Sequence, residues 1–565
     1  MRSAPEPAGC FGRRLNPKKG ASQLSRKLWS TTAIVLVALL AVFASGAAAK
    51  SGHSGTTGAT GGTMNVDFFT DVDYTDPALD YLSTGWEIEY ATCLKLLNYP
   101  DANGAKGAQL IPEAAAGFPK VSNNGKTYDF TVNASFTKFS NGAPVTAANF
   151  KAAFDRDADP KMQSPALPFF SDVVGSDKSP VSGVTVKGSH LIVKLTKPAP
   201  DFLARMAMPF FCAIPTNLAH DPDGVLSLPA AGPYYIADRV PNKSITIKRN
   251  PNYKGKRPHN LDGININVGN SQAATYLRVQ QGATDYAASG IPAASYAEAA
   301  QKYGVNKNQF WVKPQLGTAY LAFNHDRPLF KGAAGTNLAK AINYAIDRKA
   351  LLAQGGYLAG KRTDQVLPPG LAGFRDASLY PLKAADVATA KKWAAKAGVK
   401  DGTTVEYYTS NTGAAQLAAQ IVQFNLKQIG LNVNTHPFAR GVQIAKEGTR
   451  GEPFDITSEG WIADYADPYD FINVLLSGDS IHDTNNNNVA YYNDPTFNKQ
   501  MTAASNLSGA PRYKAYGDLD VNMMLKNPPW AARNNFNDRI LVSKRVGCFT
   551  FNATYSVYLA ALCIK

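Results

Sequence analysis

Between Thr336 and Thr435 the spacing of apolar side chains switches repeatedly between two periods, and that alternation restricts the fold more than any other feature of the chain. Leu338, Ala341, Ile342, Ala345 and Ile346 recur at helical spacing. Ala384–Ala397 repeats the pattern and stops at Gly398, a residue suited to the left-handed cap of a helix. Thr404–Thr409 reads as a strand, Ala414–Gln428 as a helix stopped by Gly430, and Leu431–Thr435 as a further strand. Strand–helix–strand alternation predicts an α/β fold in which helices cover a largely parallel sheet.

The rest of the chain divides around this block. At 565 residues it exceeds what one hydrophobic core supports, so two to four domains are expected. Residues 1–49 carry seven basic side chains against Glu6 and then the twelve-residue apolar run Ala33–Ala44. That run is too short to span a membrane, which takes about 20 residues. It fits a secretory leader, with small residues up to Ala49 offering a cleavage site, or alternatively an uncleaved anchor. Residues 50–62 form a Gly/Ser/Thr linker with nothing to pack. Strands alternate with turns over Thr127–Asn133, Val181–Val186 and Leu191–Leu195, and Thr146 caps a helix carrying Phe150 and Phe154.

The densest chemistry lies in residues 453–471, PFDITSEGWIADYADPYDF. A short apolar strand meets Gly460, which allows a close approach of backbone. Trp461, Tyr465 and Tyr469 follow with flat faces, interleaved with Asp464, Asp467 and Asp470. Read alone, this is a strand end and a capped helix start near Pro468.

Three more segments change that reading: residues 128–150 (YDFTVNASFTKFSNGAPVTAANF), 232–258 (GPYYIADRVPNKSITIKRNPNYKGKRP) and 319–351 (AYLAFNHDRPLFKGAAGTNLAKAINYAIDRKAL). Together with 453–471 they resemble, in order and spacing, the extracytoplasmic solute-binding proteins of family 5, the dipeptide-, oligopeptide- and nickel-type receptors of ABC importers. The resemblance implies a two-lobed fold of the type II periplasmic-binding-protein kind, with two hinge crossings. Lobe I would take residues 63–97, 199–314 and 530–565, an accessory subdomain 98–198, and lobe II 315–529. It implies capture of a small solute, most simply a peptide, by an exported monomer that passes its load to permease and ATPase subunits. Its other outcomes are a non-peptide solute such as an oligosaccharide, opine or cationic metabolite, and a sensor uncoupled from transport.

By the same resemblance Asp464 holds a ligand's α-amino group, the backbones of Gly460 and Ile462 pair with the ligand as an added strand, and Trp461 lines a side-chain pocket. Arg450 and Arg440 are candidates for a ligand carboxylate on position alone. The family's Tyr-Glu-Gly-Leu segment reads Tyr90-Ala91-Thr92-Cys93-Leu94 here, which removes one acid from lobe I.

Other functions are excluded by what the chain lacks. No G-x-S-x-G, H-E-x-x-H or complete G-x-x-x-x-G-K-[ST] motif occurs, and the seven histidines are dispersed, so no enzyme, metal or cofactor is expected. Net charge is +15, but residues 1–49 contribute +6, and the remaining Lys and Arg are scattered over the surface instead of forming a nucleic-acid site. No cysteine stands at the leader junction, so no lipid anchor is expected. Cys93, Cys212, Cys548 and Cys563 allow three pairings in an oxidising compartment. Cys548–Cys563 would staple a short C-terminal segment and leave Cys93–Cys212; free buried thiols are the alternative.

Overall fold

Two long strands, Phe310–Phe323 and Trp530–Leu541, pair antiparallel and organise everything around them. The computed structural model of the protein describes residues 60–565, so the leader and most of the linker expected at the N-terminus lie outside the described residues. At one end of this ribbon Phe310 and Leu541 pack with Tyr276, Val279, Ala287, Ile291 and Tyr296. At the other end Leu321, Phe323 and Ala531 enter a different core with Leu338, Ile342, Val405, Val422 and Ile456. The ribbon therefore runs from one lobe into the other, and its register shifts between Pro314 and Thr318.

The first lobe is built on a five-stranded sheet in the order Tyr286–Ala287, Thr63–Phe68, Gly263–Val268, Ser244–Arg249, Tyr234–Val240. Thr63–Phe68 runs parallel to Gly263–Val268, and the last two strands close as an antiparallel hairpin. Met64, Val66, Phe68, Ile245, Ile247, Ile264 and Ile266 are buried on it. A four-stranded antiparallel sheet of Lys120–Ser122, Thr127–Thr131, His190–Lys194 and Val184–Lys187 stands apart. The helix Ala147–Asp157 packs on it through Phe150 and Phe154, with Thr146 and Asn149 forming the capping box that satisfies its first turn.

The second lobe holds a six-stranded sheet in the order Gly360–Arg362, Trp530–Leu541, Phe310–Phe323, Ile456–Ile462, Thr403–Ser410, Leu431–Phe438. Thr403–Ser410 is parallel to Leu431–Phe438, with the helix Gly413–Lys427 crossing between them. The sheet as a whole is mixed, not largely parallel, because Phe310–Phe323 enters the lobe and Trp530–Leu541 leaves it, so the two must run in opposite directions. The two-lobed α/β architecture otherwise matches the fold class expected from the sequence.

Cys548 is bonded to Cys563, and Cys93 to Cys212. The first bridge closes a separation of 15 residues around the C-terminal segment, whose Val546–Gly547 pairs with Cys563–Ile564. Replacing both Cys548 and Cys563 by Ser should lower stability by about 3 kcal/mol through the entropy returned to the unfolded chain. Chemical denaturation measures this, and a loss under about 1 kcal/mol would show that the segment is held by packing alone.

Candidate functional site

Asp464 stands where the strand Ile456–Ile462 ends and the chain turns into the helix Tyr469–Leu476. Thr403–Ser410 pairs with that strand only at Ile456 and Thr457, so among the described residues its outer edge carries no further strand beyond Thr457. On the inner side the Ala463 amide donates to Leu316 carbonyl. Backbone direction alternates along a strand, so Gly460 and Ile462 turn their N–H and C=O groups to the outer edge. Two neighbours agree: the Ser458 carbonyl accepts from Gln443, and the Gly460 amide faces the Glu459 carboxylate at 3.3 Å. Gly460 is required for a different close approach, because a Cβ there would lie 2.8 Å from the ring of Phe536.

The side chains at the strand end meet the other lobe. Tyr81 hydroxyl donates to Asp464 Oδ2 at 2.9 Å, across 383 positions of sequence. Tyr465 hydroxyl donates to Asp201 Oδ2 at 2.9 Å, and Arg205 pairs with both Asp201 and Asp172. Around Tyr81 lie Trp86 and Phe210, each with its ring 5.8 Å away. Trp86 also faces Tyr555, which stacks on Tyr90 at 3.9 Å. The lobes thus meet through an aromatic wall on one side and an acidic turn on the other.

Burial dominates the electrostatics of that turn. Asp464 is 8% exposed and burial pushes its carboxyl up to about 7, with Tyr81 and then Asp470 holding it from going further. Asp470 is fully buried, and burial followed by the charge of Asp464 holds it well above the usual carboxylate range. Asp467 is pushed up to about 7 by burial and by Asp201, against the pull of Arg512, whose Nη2 lies 2.6 Å away.

The other residues singled out in the sequence are placed as follows. Trp461 is half-buried and its indole N–H donates to Asp470 Oδ2 at 3.0 Å. Arg440 grips the Glu459 carboxylate with both terminal nitrogens and has Glu447 at 3.8 Å. Arg450 is half exposed and pairs with Asp326 at 2.9 Å. Both arginines are therefore already in ion pairs. Glu89, Cys93 and Cys212 bring three potential metal donors within 4.8 Å, but the two sulfurs are bonded to each other. Sequence reasoning missed Tyr81. A signal was present, since residues 71–81 have the same mixture of Asp, Tyr and Pro as residues 464–470.

Residues 109–483 match the family described as bacterial extracellular solute-binding proteins, family 5 Middle. The chain is similar to the probable D,D-dipeptide-binding periplasmic protein DdpA of Escherichia coli, 25% identical over 420 residues, covering 72% of this chain and 76% of that protein. The oligopeptide-binding protein OppA of Bacillus subtilis is also 25% identical, over 413 residues, covering 69% and 73%. Among solved structures, clavulanic acid biosynthesis oligopeptide binding protein 2 superposes with a TM-score of 0.81 at 21% identity, covering 90% of this chain and 96% of that one. Among the described residues no helix is long and apolar enough to cross a membrane.

Proposed function

The chain belongs to the family 5 bacterial extracellular solute-binding proteins, and from that premise we propose that it captures a small solute, most simply a peptide, between its lobes for an ABC importer. Permease and ATPase subunits would take up the load. One observation carries this reading: among the described residues a strand edge at Gly460 and Ile462, with no neighbouring strand and only the Glu459 carboxylate on the Gly460 amide, runs directly into a buried carboxylate, Asp464, that has no cationic partner. The edge supplies main-chain hydrogen bonds independent of ligand sequence, and the acid supplies a fixed terminus. Asp464 would take the ligand's ammonium, with Trp461 against the first side chain. Relatives whose names state peptide binding support the same solute class.

Titration calorimetry with a library of short peptides and their N-acetylated counterparts tests the reading. Free peptides should bind at least tenfold more tightly than blocked ones, the gap of a charge-assisted bond in a desolvated site. Equal binding of the two sets would remove the peptide assignment.

A second reading, a non-peptide organic cation, is favoured by one specific observation. Arg440 and Arg450, the positions from which a ligand carboxylate would be held, are both engaged with carboxylates of the protein itself. A ligand with a cationic end and no carboxylate fits that distribution.

A further inference from the structure

Asp470 lies six residues beyond the predicted anchor, across the turn into the next helix, and its surroundings are unusual for an acid. It is fully buried, in the first turn of the helix Tyr469–Leu476. Its Oδ2 accepts from the indole of Trp461 and from the Asp464 amide, both at 3.0 Å, which fixes its orientation. Its Oδ1 has no donor at all. The hydrogen bond from the Asp464 amide brings the Asp464 side chain close to it, and burial of the two acids together raises both.

Every titratable group facing the pair is neutral or acidic. They are Tyr81 and Tyr555 from lobe I and Tyr465 from the turn itself. No lysine or arginine among the described residues forms an ion pair with either acid, although Asp467 nearby has Arg512 and Asp201 has Arg205. Two desolvated carboxylates held this close are costly to ionise together without a cation. A proton can fill that role in the empty protein, and a cationic ligand can fill it in the complex. Tyr81, whose hydroxyl reaches Asp464, packs against Trp86 and through it Tyr555, so aromatic rings, compatible with a bound cation, stand beside the pair.

We propose that Asp464 and Asp470 together form a two-carboxylate seat for an organic cation, an ammonium or guanidinium, and that they share one proton when the seat is empty. Ligand entry expels that proton to the buffer while the cation takes its place between the acids. The proposal deepens the solute-binding reading and rests on it, but it assigns the seat to the cation and not to the peptide backbone. The raised titration of both acids agrees with this arrangement.

The test is calorimetry of the full chain at pH 6 and pH 9 in buffers of different ionisation enthalpy, with trialanine and agmatine as probes. Agmatine is an organic cation that has neither peptide bond nor carboxylate. The expected result is release of close to one proton per bound probe at pH 6, fading for agmatine at pH 9, where the empty pair has already lost it, and turning to uptake for trialanine, whose α-amino group is then largely neutral. Asp470→Asn keeps both accepted hydrogen bonds, and it should abolish the release and weaken binding about tenfold. Release with agmatine alone would leave the seat standing and remove the peptide reading. Binding of trialanine without proton release, equally tight in Asp470→Asn, would overturn the seat and leave the peptide reading intact. If neither probe binds, infrared difference spectra of the ligand-free protein decide the matter. Loss of one buried, protonated carboxyl band in Asp470→Asn at pH 6 supports the shared proton, and no loss overturns it.

Discussion

Asp464→Asn should cost about 2–5 kcal/mol of ligand affinity while making the empty protein more stable at alkaline pH. The affinity loss follows from the environment of the acid. An ammonium held by a carboxylate in a desolvated cleft is bound by a charge-assisted bond, and the amide replaces it with a weaker, neutral one. The stability gain follows from linkage. The carboxyl of Asp464 is raised by burial to about 7 from an unfolded value near 3.8. A raised acid holds its proton more tightly folded than unfolded, so its burial costs nothing below pH 4 and the cost grows as pH climbs to about 7. Above that the full penalty is present in the empty protein, and Asn, which never ionises, escapes it. Thermal unfolding of parent and variant at pH 5 and pH 8 without ligand should therefore show the gap opening at the higher pH. Calorimetry with a binding peptide supplies the other half. A variant that binds like the parent would make Asp464 a structural acid of the lobe interface, whatever the melting curves show.

Much of this was legible in the sequence where local rules decide. The pattern at Ala384–Ala397 became the helix Val387–Lys396, and Ala414–Gln428 became Gly413–Lys427, each within a turn of its reading. Thr146 caps its helix because the cap is a matter of four adjacent residues. The strand entering Gly460 was legible in its residues, whereas its open edge was expected only through the family resemblance, because the edge depends on where Thr403–Ser410 stops pairing. The antiparallel ribbon escaped for the same reason: strand direction in the second lobe is set by how the chain enters and leaves it, not by the period of its side chains. The composition of residues 71–81 marks Tyr81 as a candidate, but its pairing with Asp464 was not legible because the two meet only when the lobes come together. The partners of Arg440 and Arg450 were equally out of reach, and they change what those residues can offer a ligand.

Arg156→Met should destabilise the protein by about 3–5 kcal/mol, more than loss of the bridge at Cys548. Arg156 lies on the accessory helix Ala147–Asp157 and holds the Asp76 carboxylate with both terminal nitrogens, while its Nε donates to Ala219 carbonyl at 2.9 Å. The two side chains are 1% and 0% exposed. Asp76 does more than balance the charge. Its oxygens accept from the amides of Ala78 and Val225, and its carbonyl accepts from the amides of Leu79 and Asp80. The pair therefore pins the turn that presents Tyr81 to Asp464. Methionine fills the space of the arginine stem but leaves Asp76 buried without a cation, next to Asp157, whose carboxyl burial pushes well above the usual range. The penalty is mostly that uncompensated charge, so it should be partly recovered in Arg156→Met combined with Asp76→Leu, where both charges are gone although the Ala78 and Val225 amides lose their acceptor. Calorimetric unfolding of the single and double variants separates this from simple loss of packing, because a packing defect would persist in the double variant. The double variant should still bind ligand more weakly than the parent, since the turn carrying Tyr81 has lost its anchor to the accessory helix and the aromatic wall facing Asp464 is no longer fixed in place.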